Sequence, residues 1–295
     1  MPPALPPAAE LSRRFRDATL GLVLGLVLGS GAAAAASPEE LARGELLFHI
    51  GGCTNCHTAK DGPLLAGGDP LVTPFGTFFA PNITPDPQTG IGGWSEADFL
   101  RAMRDGRSPR GEPYYPAFPY TSYAKMSEAD LRALKAYLDT IPPVRRPNRP
   151  HELGFPYNIR WGLELWQWLF HDPAPFRPDP TKSEAWNRGA YLVLGPGHCA
   201  ECHTPRTWYG ALDQSRAFAG ARLGKEVIPN ITRDPDKGIG RWTAGDLRGL
   251  LLIGIKPDGD FVGGDMAKVV RNGTAKLPDV DREAIVEFLL SLPPR

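Results

Sequence analysis

The sequence predicts a mostly α-helical protein built as two tandem domains, and three observations carry that expectation. The pattern Cys-X-X-Cys-His occurs twice, as Cys53-Thr54-Asn55-Cys56-His57 and as Cys199-Ala200-Glu201-Cys202-His203, and uses all four cysteines of the 295-residue chain. A series of Gly, Pro, Trp and Asn positions recurs in the same order around each copy. Capped, amphipathic segments are frequent, and strand signals are nearly absent.

From the N-terminus, Arg13, Arg14 and Arg16 precede the apolar run Ala18 to Leu28, which leads through Gly29, Ser30 and Gly31 into Ala32 to Ala36. This is the pattern of an export signal, residues 1–36, cleaved after a small residue near Ala36. The competing reading is an uncleaved anchor, because Ala18 to Ala36 is nearly the ~20 apolar residues a span needs. Lysine plus arginine and aspartate plus glutamate balance at 33 each; loss of Arg13, Arg14, Arg16, Glu10 and Asp17 with the signal leaves a net charge of −1. No bulk charge points to nucleic acid. Nothing after Ala36 is long and apolar enough to span a bilayer, so the mature chain is expected to be soluble, at most peripheral to a membrane.

The first domain, residues 37–145, opens with a helix from about Pro38 to Ile50: Ser37 is its N-cap, Pro38 its first residue and Glu40 completes the box. A second helix runs from about Ser95 to Arg104 and ends at Gly106. A third runs from about Ser127 to Thr140, with Leu131, Leu134, Tyr137 and Leu138 on one stripe and Pro142-Pro143 as its stop. Residues 146–180 form a linker around an apolar helix, Asn158 to Phe170. The second domain, residues 181–295, repeats the three helices from near Glu184, Thr243 and Asp279. Between them the repeat is explicit: Arg43-Gly44 matches Arg188-Gly189, Asn82-Ile83-Thr84 matches Asn230-Ile231-Thr232, and Gly90-Ile91-Gly92 with Trp94 matches Gly238-Ile239-Gly240 with Trp242.

The paired pentapeptides point to c-type haem. Two thiols at this spacing add to the vinyl groups of one porphyrin, and the histidine that follows reaches the iron. A disulfide, a zinc site or a dithiol redox pair requires no histidine directly after the second cysteine in both copies. The assigned attachment residues are therefore Cys53, Cys56, Cys199 and Cys202, with His57 and His203 as proximal ligands to two covalently bound haem c groups. Around so irregular a chain, with 33 Gly and 32 Pro, the porphyrin is expected to supply much of the core.

The sixth ligands decide between electron transfer and catalysis. Met266, in Gly263-Gly264-Asp265-Met266, lies at a suitable distance after His203 and is assigned to the second iron. Its counterpart by the Gly-Ile-Gly and Trp anchors is Phe118, which cannot bind iron. Met126 is then the expected donor to the first iron, with Met103, a histidine or an open position as the other readings. His49, His151, His171 and His198 are read as solvent-facing or capping groups. The linker helix, with Trp161, Trp166 and Trp168, is expected to pack inside and lock the two domains rather than present tryptophans to a partner.

The stretches Phe155-Pro156-Tyr157-Asn158 with Arg160-Trp161, Trp186-Asn187-Arg188-Gly189-Ala190-Tyr191-Leu192-Val193, Gly197-His198-Cys199 with Cys202-His203-Thr204-Pro205-Arg206, and Gly259-Asp260-Phe261-Val262-Gly263-Gly264 resemble the dihaem cytochrome c proteins akin to the cytochrome subunits of bacterial alcohol and sugar dehydrogenases. The resemblance implies two class I cytochrome c domains, a periplasmic location at the outer face of the inner membrane, and electron relay from a dehydrogenase to a quinone, downstream cytochrome or terminal oxidase. Many relatives read Pro-Ala-Met-Pro-Tyr where this chain has Phe118, and the resemblance supports Met126 in its stead. The family's alcohol and sugar dehydrogenase subunits commonly carry three haems, and this chain has motifs for two. The rival expectation is a dihaem enzyme, of peroxidase or thiosulfate dehydrogenase type, reacting at the first haem.

Overall fold

Two long helices of each half cross tightly, and the remaining elements are hung on that crossing. The computed structural model describes residues 36–223 and 226–295; apart from Ala36, the export-signal segment lies outside the described residues. In the first half, α1 (Pro38–Ile50) is followed by α2 (Cys53–His57), strands β1 (Pro70–Thr73) and β2 (Gly76–Phe79), α3 (Glu96–Asp105), α4 (Tyr120–Tyr123) and α5 (Glu128–Leu138). The connecting segment carries β3 (Glu152–Leu153) and α6 (Gly162–Phe170). The second half contains α7 (Glu184–Leu194), α8 (Ala200–His203), strands β4 (Ala221–Leu223) and β5 (Glu226–Ile228), α9 (Ala244–Ile253), α10 (Gly264–Asn272) and α11 (Asp279–Leu290).

The caps read from the sequence are present. The Ser37 hydroxyl accepts from the backbone of Glu40, Ser95 and Asp98 close a full capping box on α3, and Thr243 and Asp246 do the same on α9. Gly106 and Gly254 end α3 and α9 in the left-handed conformation, at φ 62° and 79°, which a side chain would strain.

Glycine also sets the crossings of α1 with α5 and of α7 with α11. A Cβ on Gly44 would lie 2.1 Å from the Ala133 carbonyl oxygen, and one on Gly189 would lie 1.9 Å from that of Ala284. Beside each crossing an arginine reaches a buried aspartate, Arg43 to Asp130 and Arg188 to Asp281. The repeated Arg-Gly pair thus places one residue at the close approach and its neighbour in an ion pair.

The structure departs from the sequence reading in three places. Antiparallel strands form where none was expected: β1, β2 and β3 make a small sheet, and β4 pairs with β5. Their signals were masked by turn residues such as Thr73-Pro74-Phe75-Gly76, which closes the first hairpin. The stretch holding Met266 forms a helix, α10, beyond the three helices expected of the second domain. Finally, α6 is only half interior. Leu163 and Gln167 are buried, Gln167 donates to the Gly106 carbonyl (3.1 Å), and the Trp166 indole donates to the Tyr209 carbonyl (2.8 Å), so the helix touches both halves. Trp161 and Trp168, however, are 74% and 79% exposed, and Leu165 and Leu169 are exposed beside them.

Gly44→Ala or Gly189→Ala should force a helix pair apart and destabilise the protein by about 1–3 kcal/mol. Denaturant unfolding measures this, and wild-type midpoints for both variants would contradict the crossing described.

Candidate functional site

Each Cys-X-X-Cys-His string folds as one short helical turn, α2 or α8, so that its two sulfurs and its imidazole issue from one compact unit. The turn is entered through a left-handed residue, Gly52 (φ 58°) in one half and His198 (φ 38°) in the other. No disulfide joins the four cysteines, and burial pushes the Cys53 and Cys199 thiols up to about 12. Among the described residues no group of three or more His, Cys, Asp or Glu side chains is arranged to hold a bare metal ion.

The histidines are oriented identically. His57 Nδ1 lies 2.7 Å from the Pro81 carbonyl oxygen and His203 Nδ1 lies 2.8 Å from that of Pro229. A carbonyl can only accept, so each ring carries its proton on Nδ1 and keeps the Nε2 lone pair for a metal. Burial depresses both imidazole pKa values, against a smaller opposing effect of the carbonyl bond, so the rings are neutral as ligation requires.

A repeated framework holds those carbonyls. Asn82 Nδ2 donates to the Val144 carbonyl (2.7 Å) and its Oδ1 accepts from Thr84 N (2.9 Å); Asn230 Nδ2 donates to the Arg295 carbonyl (2.7 Å) and its Oδ1 accepts from Thr232 N (2.7 Å). Asn-Ile-Thr thus ties the segment after each proline to the chain that follows the half's last helix. On the other side, Leu65 and Phe218 both sit at positive φ, 59° and 62°. Each is pinned by a hydrogen bond from its N–H to the threonine after the histidine, Thr58 or Thr204, at 3.0 Å. Non-glycine residues hold this conformation only where the surroundings impose it.

The sixth-ligand segments also start alike. Tyr114 N donates to the Gly106 carbonyl (2.7 Å) and Val262 N to the Gly254 carbonyl (2.9 Å). Four residues beyond these anchors stand Phe118 and Met266 respectively. Met266 is half-buried on α10. Met126, expected at the first iron, is 1% exposed and takes the place directly before the α5 cap that Leu277, 3% exposed, takes before the α11 cap. It is packed in the first half's apolar core with Met103. The four other histidines are engaged with backbone: His49 with Asn272 O, His198 with Gly51 O, His171 with Arg104 O, and His151 with Phe79 N.

Sequence reasoning missed how each half grips the haem motif of the other. Asn55, third in the first motif, accepts from Asn272 Nδ2 at the end of α10 (2.7 Å). Glu201, third in the second motif and buried, accepts from Thr121 Oγ1 and Ser122 Oγ on α4 (2.8 Å each) and pairs with Arg206. Between these clasps, Tyr123 Oη and His198 Nε2 both reach the Gly51 carbonyl, at 3.1 and 3.2 Å, with their rings in edge contact. Ile50 inserts into the second half's core. The two motifs therefore begin at one shared seam. The third motif position was the only available signal, and either residue there reads as a surface group in isolation.

The model of the cytochrome c family matches residues 41–142. A diheme cytochrome c-type protein of Cereibacter sphaeroides is 46% identical over 94% of this chain and 98% of its own length. The cytochrome c subunit of a quinone-linked alcohol dehydrogenase of Gluconobacter oxydans is 37% identical over 93% of this chain and 60% of that one. The cytochrome subunit of a fructose dehydrogenase of Gluconobacter japonicus is 37% identical over 95% of this chain and 60% of its own, so the chain spans a part of these dehydrogenase subunits.

Glu201→Ala should remove the clasp, leave Thr121 and Ser122 without their acceptor and cost about 2 kcal/mol. Amide exchange should rise in α4 and α8 together; a rise confined to α8 would contradict the cross-half contact. As pH falls below the ordinary histidine value, the unfolded chain takes up protons that the depressed His57 and His203 refuse, so the stability they contribute is complete above about 6.5 and declines towards acid. Unfolding midpoints that rise on acidification through that range would oppose it.

Proposed function

The chain belongs to the cytochrome c family that includes the diheme c-type protein of Cereibacter sphaeroides, and on that footing we propose that it carries two covalent haems and relays electrons in the periplasm from a dehydrogenase to a respiratory acceptor. Bound haem supplies a reversible one-electron store at its iron. Cys53 and Cys56, with Cys199 and Cys202, tether the two groups. His57 and His203 ligate through Nε2, with Nδ1–H fixed by Pro81 and Pro229. Met266 closes the second iron.

The observation that carries the reading is the pair of identically built histidine sites opening from one seam. The Gly51 carbonyl, Tyr123 and His198 link the two attachment turns directly, and a short, rigid separation is what electron hopping between cofactors requires. The relatives whose names state a role are cytochrome subunits of dehydrogenases, which favours relay over the rival peroxidase-type chemistry. Exposed Trp161 and Trp168, at and within a helix that touches both halves, suit a protein that works against a partner.

Mixing the oxidised protein with a reduced quinoprotein or flavoprotein dehydrogenase from the same cells should reduce both irons in rapid succession. His203→Ala should abolish transfer beyond the first. Failure of every such dehydrogenase to reduce the protein, together with hydrogen peroxide turnover, would overturn the relay.

A further inference from the structure

Resting on the reading that a haem is tethered at Cys53 and Cys56, we infer that the first iron has no protein sixth ligand and keeps that position for a small neutral diatomic molecule, while the second is closed by Met266. The two halves share one construction up to the ligand position, so they can be compared residue by residue. The backbone bonds Tyr114 N to Gly106 O and Val262 N to Gly254 O fix the register, and the short bridges Arg107–Pro113 and Ile255–Phe261 repeat it. Four residues on, one half offers a thioether and the other a phenyl ring, which has no lone pair to give.

Neither of the described methionines of the first half stands at that position. Met126 fills the core place of Leu277 directly before the α5 cap, with its backbone N–H bonded to Tyr123 O at 2.9 Å. Met103 is buried within α3. His171 Nε2 donates to Arg104 O at 2.7 Å while its Nδ1 is buried without a partner, the ring edge-on to Tyr120 with centroids 5.0 Å apart, and His151 Nδ1 accepts from Phe79 N at 3.2 Å. Phe118 instead sits among three tyrosines, with ring centroids 5.7 Å from Tyr114, 6.2 Å from Tyr120 and 5.7 Å from Tyr123. Tyr123 donates its hydroxyl to Gly51 O. Burial keeps all three phenols protonated, with Tyr114 and Tyr120 pushed up to about 12, so none is a phenolate donor near neutral pH.

Four aromatic rings without a charge among them make a wall that is apolar apart from the Tyr120 hydroxyl, which is buried without a partner. Such a wall admits an uncharged ligand that binds through its own lone pair, and it lacks the acid–base groups that oxygen–oxygen cleavage requires. The wall is also held from across the seam, because Glu201 grips Thr121 and Ser122 beside Tyr120 and Tyr123.

Carbon monoxide is the probe. The fully reduced wild-type protein should take up one molecule per chain, and the oxidised protein should show a methionine–iron charge-transfer band from one haem only. Phe118→Met should abolish uptake and double that band; Met126→Ala should leave uptake at one. Wild-type uptake of none or of two overturns the inference, as does uptake that appears only in Met126→Ala, which would make Met126 the ligand. Haem absorbance short of two per chain in the same sample would instead overturn the reading beneath it.

Discussion

One hydrogen bond, made twice, organises this molecule: the Nδ1–H of a proximal histidine to the carbonyl of a proline some two dozen residues further on. It fixes the tautomer, aims Nε2 and raises the basicity of the ring that would hold the iron. Much of the irregular chain exists to keep that carbonyl in place. The Asn-Ile-Thr segments anchor it to the end of each half, and the strained Leu65 and Phe218 close the loop from the other side. The Arg-Gly crossings supply the rigid support on which the haem-motif turn is mounted.

Duplication accounts for the symmetry, and the seam accounts for why two copies remain in one chain. Asn55 and Glu201 occupy the same motif position and both bond to the sixth-ligand segment of the opposite half. Each motif turn is thus tied by hydrogen bonds to a helix of the opposite half. The halves differ most where symmetry is chemically meaningful. Met266 and Phe118 stand at one register position, a thioether in one half and a phenyl ring among tyrosines in the other. A relay with two unlike sites has a built-in direction, because unlike ligation sets unlike potentials.

The caps, the helix starts and the pairing of the halves were legible because they depend on local chemistry: a serine or threonine before an acidic turn, a glycine at a left-handed terminus, a repeat that keeps its order. The candidate attachment residues stand out for the same reason, since Cys-X-X-Cys-His is contiguous and each string folds as one turn. What was hidden is non-local. The partner of His57 is a backbone carbonyl, which no side-chain pattern announces. The hairpin Pro70–Phe79 read as irregular because its turn residues outweigh its short strands. Met126 stands where Leu277 stands, directly before the last helix of its half, and the structure packs both into apolar cores. The tryptophans around α6 looked too numerous to expose, yet two of them face outward while Leu163, Gln167 and Trp166 make the contacts that fasten the helix.

The proposed relay depends on two porphyrins bound through thioethers at Cys53/Cys56 and Cys199/Cys202. Intact-mass measurement of the denatured, exported protein tests it without reference to any partner. The expected mass is that of the chain plus two haem groups, falling to one when either cysteine pair is replaced by alanine. A wild-type mass with fewer than two, or haem released by denaturation, would contradict it.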